Sequence, residues 1–230
     1  MSPTSQITLF QLPNSRGIRI AWLLEELALP YTIVTGSRVS NSDADPDFKA
    51  QCGGLGKSPT IHDGDIVVQE SGAIVEYLCE TYGSKESLVP PATSAAARAK
   101  VREFMHLAEG TFSLHAYPAF MSRRLPAELL KSGDVHQLRV IAARKVYVDM
   151  GWLEKYLAEA KTAFLVGDHL TAADIMMGFS AQLIMERIVK LGDLNESGDK
   201  KQYLCIERWL HELMGRKALR VAMKKTGFTG

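Results

Sequence analysis

ITLFQLPNSRGIRIAWLLEELALPYTIV, residues 7–34, is the stretch that decides the fold of the amino-terminal part of the chain. Residues 7–12 have the pattern of a strand buried on both faces, and residues 31–34 form a second β-rich run. Between them, apolar residues recur at helical spacing: Ile20, Leu23, Leu24 and Leu27. Three charged residues lie off that stripe: Arg19, Glu25 and Glu26. A strand, a helix and a parallel strand predict a right-handed βαβ unit.

The next segment predicts an antiparallel pair of strands joined by a tight turn. Residues 59–62 and 65–68 are β-rich and flank Asp63-Gly64, the link expected to form the turn. Two further helices are expected here, over residues 46–51 and from Ser71 to Gly83. The order βαβ, loop, ββα predicts a four-stranded sheet with helices on its faces.

The rest of the chain predicts helices and no strand. Residues 84–93 carry Pro90-Pro91 and other turn formers, and are the candidate linker. Four helical segments follow, over residues 95–125, 133–160, 171–191 and 201–224. Within the third, Thr171 and Asp174 have the spacing of a capping box that starts a buried helix. The predicted class is α/β plus all-α, with an α/β domain over residues 1–83 and a helical bundle over residues 94–230.

Composition excludes several classes of protein. The 230 residues are 46% apolar and 23% charged, which excludes disorder and disulfide miniproteins. The net charge of +1 gives no global field toward nucleic acid or an anionic membrane. Cys52, Cys79 and Cys205 make no C-x-x-C pair and indicate free thiols in a reducing compartment. The sequence shows neither a secretory signal nor an apolar run long enough to span a bilayer, so a cytoplasmic location is expected.

Three short segments meet in a sheet of this topology, and together they predict a ligand site. They are Asn14-Ser15-Arg16, Gly56-Lys57-Ser58-Pro59 and Gln69-Glu70-Ser71. The first and third lie at helix amino termini, which attract anions and stabilise thiolates. A ligand with a reactive thiol and a free carboxylate fits this pattern.

These segments resemble motifs of the glutathione transferase superfamily, and the resemblance covers nearly the whole chain. The similarity is to fungal and bacterial members that have an amino-terminal catalytic serine, and it lies in four motifs. The first is Ser15-Arg16-x-x-Arg19 together with the run from Trp22 to Leu27. The other three are Leu55 to Pro59, Glu70 to Ile74, and Gly167 to Asp174. Gly53-Gly54 stands where many relatives have an Asn-Pro or His-Pro step. The resemblance implies a thioredoxin-like first domain, glutathione as co-substrate and no metal.

The resemblance assigns the catalytic role to Ser15. Its hydroxyl is expected to point at the glutathione sulfur. Together with the amides at the helix terminus, it is expected to favour the ionised form of a thiol whose pKa is about 8.5 when free. Arg16 adds local positive potential. A plain helix cap is the alternative for Ser15, and Asn14 is the next candidate for the sulfur contact.

The resemblance also assigns binding roles along the peptide. Pro59 is expected to follow a cis bond that turns the Ser58 backbone toward the cysteinyl unit, and Lys57 to reach the glycyl carboxylate. Glu70 and Ser71 are expected to bind the γ-glutamyl ammonium and carboxylate. The alternatives are an ordinary edge-strand proline, a surface lysine, and first-turn capping by Glu70 and Ser71.

The acceptor pocket is expected between the domains, beside the first helix of the bundle. The candidates for its lining are Glu109, Phe112, Tyr117 and Phe120. The leading reading is a detoxification enzyme, a homodimer, that conjugates glutathione to small hydrophobic electrophiles. Peroxidase, isomerase or dehalogenase activity is the second reading, and a non-enzymatic binding or regulatory protein is the third.

Overall fold

A computed structural model describes most of the chain. It covers residues 7–40, 43–83, 88–122, 124–130, 132–190 and 202–229. Residues 84–87 of the predicted linker, Leu191 and Lys201 lie outside this part. The described residues form two compact units: those up to Ala95 together with those from Leu213 onward, and those from Ala96 to Glu212. The first unit thus includes the end of the chain, which the sequence assigned to the helical bundle.

The first unit is built on a four-stranded mixed sheet. Its strands are β1 (Ile7–Gln11), β2 (Tyr31–Thr35), β3 (Thr60–Asp63) and β4 (Ile66–Gln69), in the order β2-β1-β3-β4. The β1 and β2 strands are parallel, whereas β3 is antiparallel to both of its neighbours. Helices α1 (Gly17–Glu26), α2 (Pro46–Cys52) and α3 (Ser71–Tyr82) connect or follow the strands. The predicted βαβ-ββα order is confirmed.

The hairpin turn differs from the prediction by one residue. Asp63 pairs with Ile66 inside the sheet, so the turn consists of Gly64 and Asp65, with φ +58° at Gly64. The Asp63 side chain is buried and accepts hydrogen bonds from the Tyr77 hydroxyl, at 2.8 Å, and the Tyr82 hydroxyl. These contacts to α3 hold Asp63 inside the fold, and the Asp-Gly pattern in the sequence does not predict them.

The second unit is helical. It contains α4 (Ala95–Leu107), α5 (Leu114–Ser122), α6 (Ala127–Leu130), α7 (Gly133–Ala160), α8 (Ala172–Ile184) and most of α9 (Leu204–Gly215). Two π-helical segments, Ala108–Ser113 and Met185–Val189, continue α4 and α8. The first predicted helix is therefore interrupted and ends at Ser122. Among the described residues, no helix has the length and apolar character needed to cross a bilayer.

The last predicted helix, over residues 201–224, is two helices in the structure. Arg216 separates α9 from α10 (Lys217–Thr226) with an extended conformation, φ −69° and ψ 132°. Its guanidinium binds both carboxylate oxygens of Glu26 in α1, at 2.6 and 2.8 Å. After this break, α10 belongs to the first unit. The helical pattern of the sequence predicts neither the break nor the unit to which α10 belongs.

The predicted capping box at the start of α8 is confirmed. The Asp174 carboxylate accepts hydrogen bonds from the Thr171 amide and hydroxyl, each at 2.9 Å. It also accepts from the Leu165 amide, at 2.9 Å, and from Trp209 Nε1, at 3.0 Å. Burial raises the pKa of the Asp174 carboxyl, and these four donated hydrogen bonds oppose the rise. A local helix cap thus also joins α8 to two other segments.

Candidate functional site

Ser15 lies between β1 and α1, half-buried, where the sheet gives way to the helix. Its Oγ accepts a hydrogen bond from the Gly17 amide at 3.2 Å, and its carbonyl accepts one from the Ile18 amide. A Cβ at Gly17 would lie 2.6 Å from the Gln11 Cβ, so only glycine allows this close approach of helix and strand. Gly17 is thus a packing requirement that places Ser15 at the first turn of α1.

Ser58 joins the second predicted segment to the first. The Ser58–Pro59 peptide bond is cis, as the resemblance implied. The Ser58 Oγ accepts a hydrogen bond from the Leu12 amide at 3.0 Å and lies 3.1 Å from the Ser15 Oγ. The residue therefore contributes a side-chain contact to Ser15 in addition to its backbone, and the sequence reasoning missed this contact.

A glycine-rich loop precedes Ser58, and Gln69 holds it. Gly53, Gly54 and Gly56 all have positive φ. The Gln69 side chain donates to the Gly53 carbonyl at 3.0 Å and accepts from the Leu55 amide at 3.1 Å. This contact gives the Gly53-Gly54 step a defined geometry in place of the usual proline. Sequence reasoning missed the role of Gln69, although the residue ends a strand beside the loop.

Lys57 contributes an exposed side chain at the end of this loop. Its backbone carbonyl accepts a hydrogen bond from the buried Thr60 hydroxyl at 2.7 Å. The loop is therefore held at both ends while the ammonium group extends into solvent.

The third predicted segment is held by an arginine. Glu70 is exposed and has φ +69°, a strained conformation for a residue with a side chain, just before α3 begins at Ser71. The Ser71 hydroxyl is buried and accepts a hydrogen bond at 3.1 Å from Arg19 Nη1. Arg19 is fully buried, although it lies off the apolar stripe of α1. It joins α1 to the first residue of α3.

Asn14 and Arg16 flank Ser15 in different ways. Asn14 is exposed with φ +51°, and its Oδ1 accepts hydrogen bonds from the Thr229 amide at 3.0 Å and the Thr229 hydroxyl at 3.3 Å. Its carboxamide oxygen is therefore bound by the end of the chain. Arg16 is half-buried, forms the N-cap of α1 and brings a positive charge next to the serine.

The four acceptor-pocket candidates belong to the helical unit and differ in exposure. Phe112 is 1% exposed, with its ring 6.5 Å from that of Trp152 in the interior of the unit. Glu109 is half-buried and accepts a hydrogen bond from the Ser113 hydroxyl at 3.3 Å. Phe120 is half-buried and Tyr117 is exposed, both on α5. Phe112 is a core residue here, while the other three reach the surface of the unit.

The cysteines are free thiols with raised pKa values. Burial raises the pKa of Cys79 to about 12 and also raises that of Cys52, while burial and Glu154 raise that of Cys205. None of the three has the lowered pKa of a reactive thiolate. In the part of the chain that the structure describes, no three histidine, cysteine, aspartate or glutamate side chains are grouped to hold a metal ion.

Comparison with known proteins finds relatives with one shared description. Residues 5–80 match the family described as "Glutathione S-transferase, N-terminal domain". Glutathione S-transferase 3 of Schizosaccharomyces pombe is 28% identical over 231 residues, which cover 95% of this chain and 87% of the relative. Glutathione S-transferase 1 of Saccharomyces cerevisiae is 23% identical over 95% of this chain and 94% of its own.

Solved structures have the same fold. A glutathione S-transferase from Actinobacillus pleuropneumoniae superposes with a TM-score of 0.77 at 28% identity, over 97% of this chain and 94% of that one. Ure2p in complex with glutathione has a TM-score of 0.77 at 19% identity, over 96% and 100% of the two chains. The first supports a family relation, and the second, at this identity, shows the fold alone.

Proposed function

We propose that this chain transfers the thiolate of glutathione to small hydrophobic electrophiles, because residues 5–80 match the glutathione S-transferase N-terminal domain and relatives similar over 95% of the chain are named glutathione S-transferases. The observation that carries the proposal is the position of Ser15, at the first turn of α1 and 3.1 Å from the Ser58 hydroxyl beside the cis bond. A thiol held at this point meets a hydroxyl donor and a helix amino terminus, and both favour its anion.

The charges of the proposed binding residues are complementary to those of glutathione. The tripeptide carries two carboxylates and one ammonium, and the proposed binding residues carry two positive side chains, Arg16 and Lys57, and one negative side chain, Glu70. Ser71, with its hydroxyl held by Arg19, supplies a neutral donor beside the first amides of α3 for the γ-glutamyl carboxylate. The Ser58 backbone beside Pro59 offers the cysteinyl unit a strand-like partner.

Catalysis follows from the ionisation and position of the sulfur. Lowering a thiol pKa from about 8.5 by about two units makes the thiolate the major form at pH 7, a gain of roughly tenfold or more in nucleophile. Ser15 stabilises the attacking anion and is not itself a nucleophile. The second contribution is the juxtaposition of thiolate and electrophile. Glu109, Tyr117 and Phe120, which reach the surface of the helical unit, remain our candidates for contact with the electrophile.

Calorimetry and turnover test this function together. We expect glutathione to bind the wild-type protein, which should then conjugate an aryl halide at neutral pH, while Ser15→Ala should lose most of the turnover. Absence of binding at millimolar glutathione would favour a non-enzymatic protein. Cumene hydroperoxide is the second substrate to assay. Faster turnover of this hydroperoxide than of the aryl halide would make reduction, and not conjugation, the main activity.

We also propose that the enzyme is a cytoplasmic homodimer. The helical unit exposes apolar side chains along one face of α7, namely Leu138, Ile141, Val148 and Trp152, with exposures of 67%, 58%, 65% and 42%. The first unit exposes Ile66 and Val67 on its edge strand β4, at 49% and 50%. In a twofold dimer the two patches can cover each other twice, once on each side of the axis.

A further inference from the structure

We infer that the Ser58 hydroxyl is a positioning group that makes Ser15 a pure hydrogen-bond donor toward the glutathione sulfur. The inference rests on the proposed function, because it concerns the state of the same sulfur. It assigns a role to a side chain that so far has been expected to act only through its backbone. The observations that carry it are three hydrogen bonds around two hydroxyl groups.

The first step is a count of acceptor positions. A serine hydroxyl has one proton to donate and two lone pairs that accept. The Ser58 Oγ accepts from the Leu12 amide, and the Ser15 Oγ accepts from the Gly17 amide. Backbone amides only donate, so one lone pair on each oxygen is occupied. The 3.1 Å contact between the two oxygens is then a donation by one of them to the other.

The direction of that donation decides what Ser15 can do. If Ser58 donates, both lone pairs of Ser15 are filled and its own proton is available for a ligand. Ser15 can then hydrogen-bond to a thiolate, but it has no lone pair left for a thiol proton, which therefore leaves to solvent. If Ser15 donates to Ser58 instead, its second lone pair is open and it would favour the neutral thiol. Only the first direction supports thiolate chemistry.

A bound thiolate favours the first direction, because an anionic sulfur is a stronger acceptor for the Ser15 proton than the neutral Ser58 oxygen. The Leu12 and Gly17 amides, at 3.0 and 3.2 Å, polarise the two hydroxyls alike. A hydroxyl that accepts a hydrogen bond becomes a better donor, and hydrogen bonds in a chain polarise one another. The sequence of donors is the Leu12 amide, the Ser58 hydroxyl, the Ser15 hydroxyl and then the sulfur anion. Leu12 follows β1 and Ser58 precedes β3, so the first two groups are held by paired strands. This series of hydrogen bonds thus polarises the Ser15 hydroxyl toward the sulfur, starting from a backbone amide that the strands hold in place.

The test compares two variants of Ser58, to Val and to Thr, which are isosteric with each other, and measures the thiol pKa of bound glutathione by ultraviolet titration of the thiolate. Ser58→Val removes the hydroxyl, and Ser58→Thr restores it at nearly the same volume. We expect Ser58→Val to raise the bound thiol pKa by about half to one pH unit, the value of one net hydrogen bond, and Ser58→Thr to recover most of the shift. Ser58→Ala is the second hydroxyl-free variant if Ser58→Val does not fold.

Two further measurements separate positioning from mere structural support. Binding of S-methylglutathione, which has no ionisable sulfur, should change less than twofold in Ser58→Val. In a Ser15→Ala background, Ser58→Val should cause no additional pKa shift, because its effect passes through Ser15. An unchanged thiol pKa in Ser58→Val, or an equal shift without Ser15, would overturn the inference. A wild-type thiol pKa no lower than that of free glutathione would instead contradict the proposed function.

Discussion

At the scale of single residues, the site contains partners that motif spacing does not indicate. Ser15, Ser58 and Ser71 lie in segments that sequence reasoning singled out, but three donors to their hydroxyls lie outside those segments, namely Leu12, Gly17 and Arg19. Arg19 lies off the apolar stripe of α1 yet is fully buried against Ser71. A helical pattern separates apolar from polar residues, and it cannot show that a polar side chain meets a polar partner inside the fold.

Arg19 gives the first prediction at this scale. Arg19→Met keeps much of the side-chain volume but removes the charge and the donor to Ser71, so the proposed γ-glutamyl site loses the group that orients the Ser71 hydroxyl. We expect the Kd for glutathione to rise by about tenfold, consistent with the loss of one charge-assisted hydrogen bond. Calorimetry measures this, with Arg102→Met as the matched control because Arg102 is exposed on α4. Equal affinities of the two variants would contradict the role of Arg19.

At the scale of elements, sequence patterns predicted the order of strands and helices better than their ends. The βαβ unit follows from β-rich runs and a helical stripe, which are local signals. The hairpin turn lies one residue later than predicted because Asp63 is held by two tyrosines of α3. The break at Arg216 accompanies an ion pair with Glu26, 190 residues away. Both differences come from tertiary contacts, and no local window contains them.

The start of α8 gives the prediction at this scale. In the wild-type protein each carboxylate oxygen of Asp174 accepts two hydrogen bonds. Asp174→Asn replaces one of these oxygens by an amide nitrogen, so two buried donors lose their acceptor. We expect the free energy of unfolding to fall by about 2 kcal/mol or more. Denaturant titration measures it, with the exposed Asp168→Asn as control. A loss no greater than that of the control would show that the cap is dispensable.

At the scale of the whole molecule, the end of the chain belongs to the unit that carries Ser15 and Ser58. The Gln11 side chain donates to the Thr226 carbonyl at 3.2 Å, and Lys225 binds Glu25 at 2.6 Å and lies over the Tyr31 ring. With the Thr229 contact to Asn14, these bonds join α10 to β1, to α1 and to the loop that carries Ser15. The sequence predicted a helix here but not its partner, because the two segments are about 200 residues apart.

Assembly gives the prediction at this scale. Val148→Asp places a charge in the exposed apolar face of α7, where a dimer would have to desolvate it, so we expect dissociation to monomers. Val39→Asp is the matched control, since Val39 is also 65% exposed but lies outside both patches. Sedimentation velocity distinguishes the two forms. A wild-type protein that sediments as a monomer, or a Val148→Asp variant that remains dimeric, would contradict this interface.

The central claim is that the first unit holds the glutathione sulfur as an anion, and titration of the bound thiol tests it most directly. The protein's own cysteines do not obscure the signal, because their pKa values are raised, that of Cys79 to about 12. We predict that thiolate absorbance of bound glutathione appears about two pH units below that of the free tripeptide, near pH 6.5, and that Ser15→Ala shifts it back toward about 8.5. Coincident titration curves for bound and free glutathione would contradict the claim.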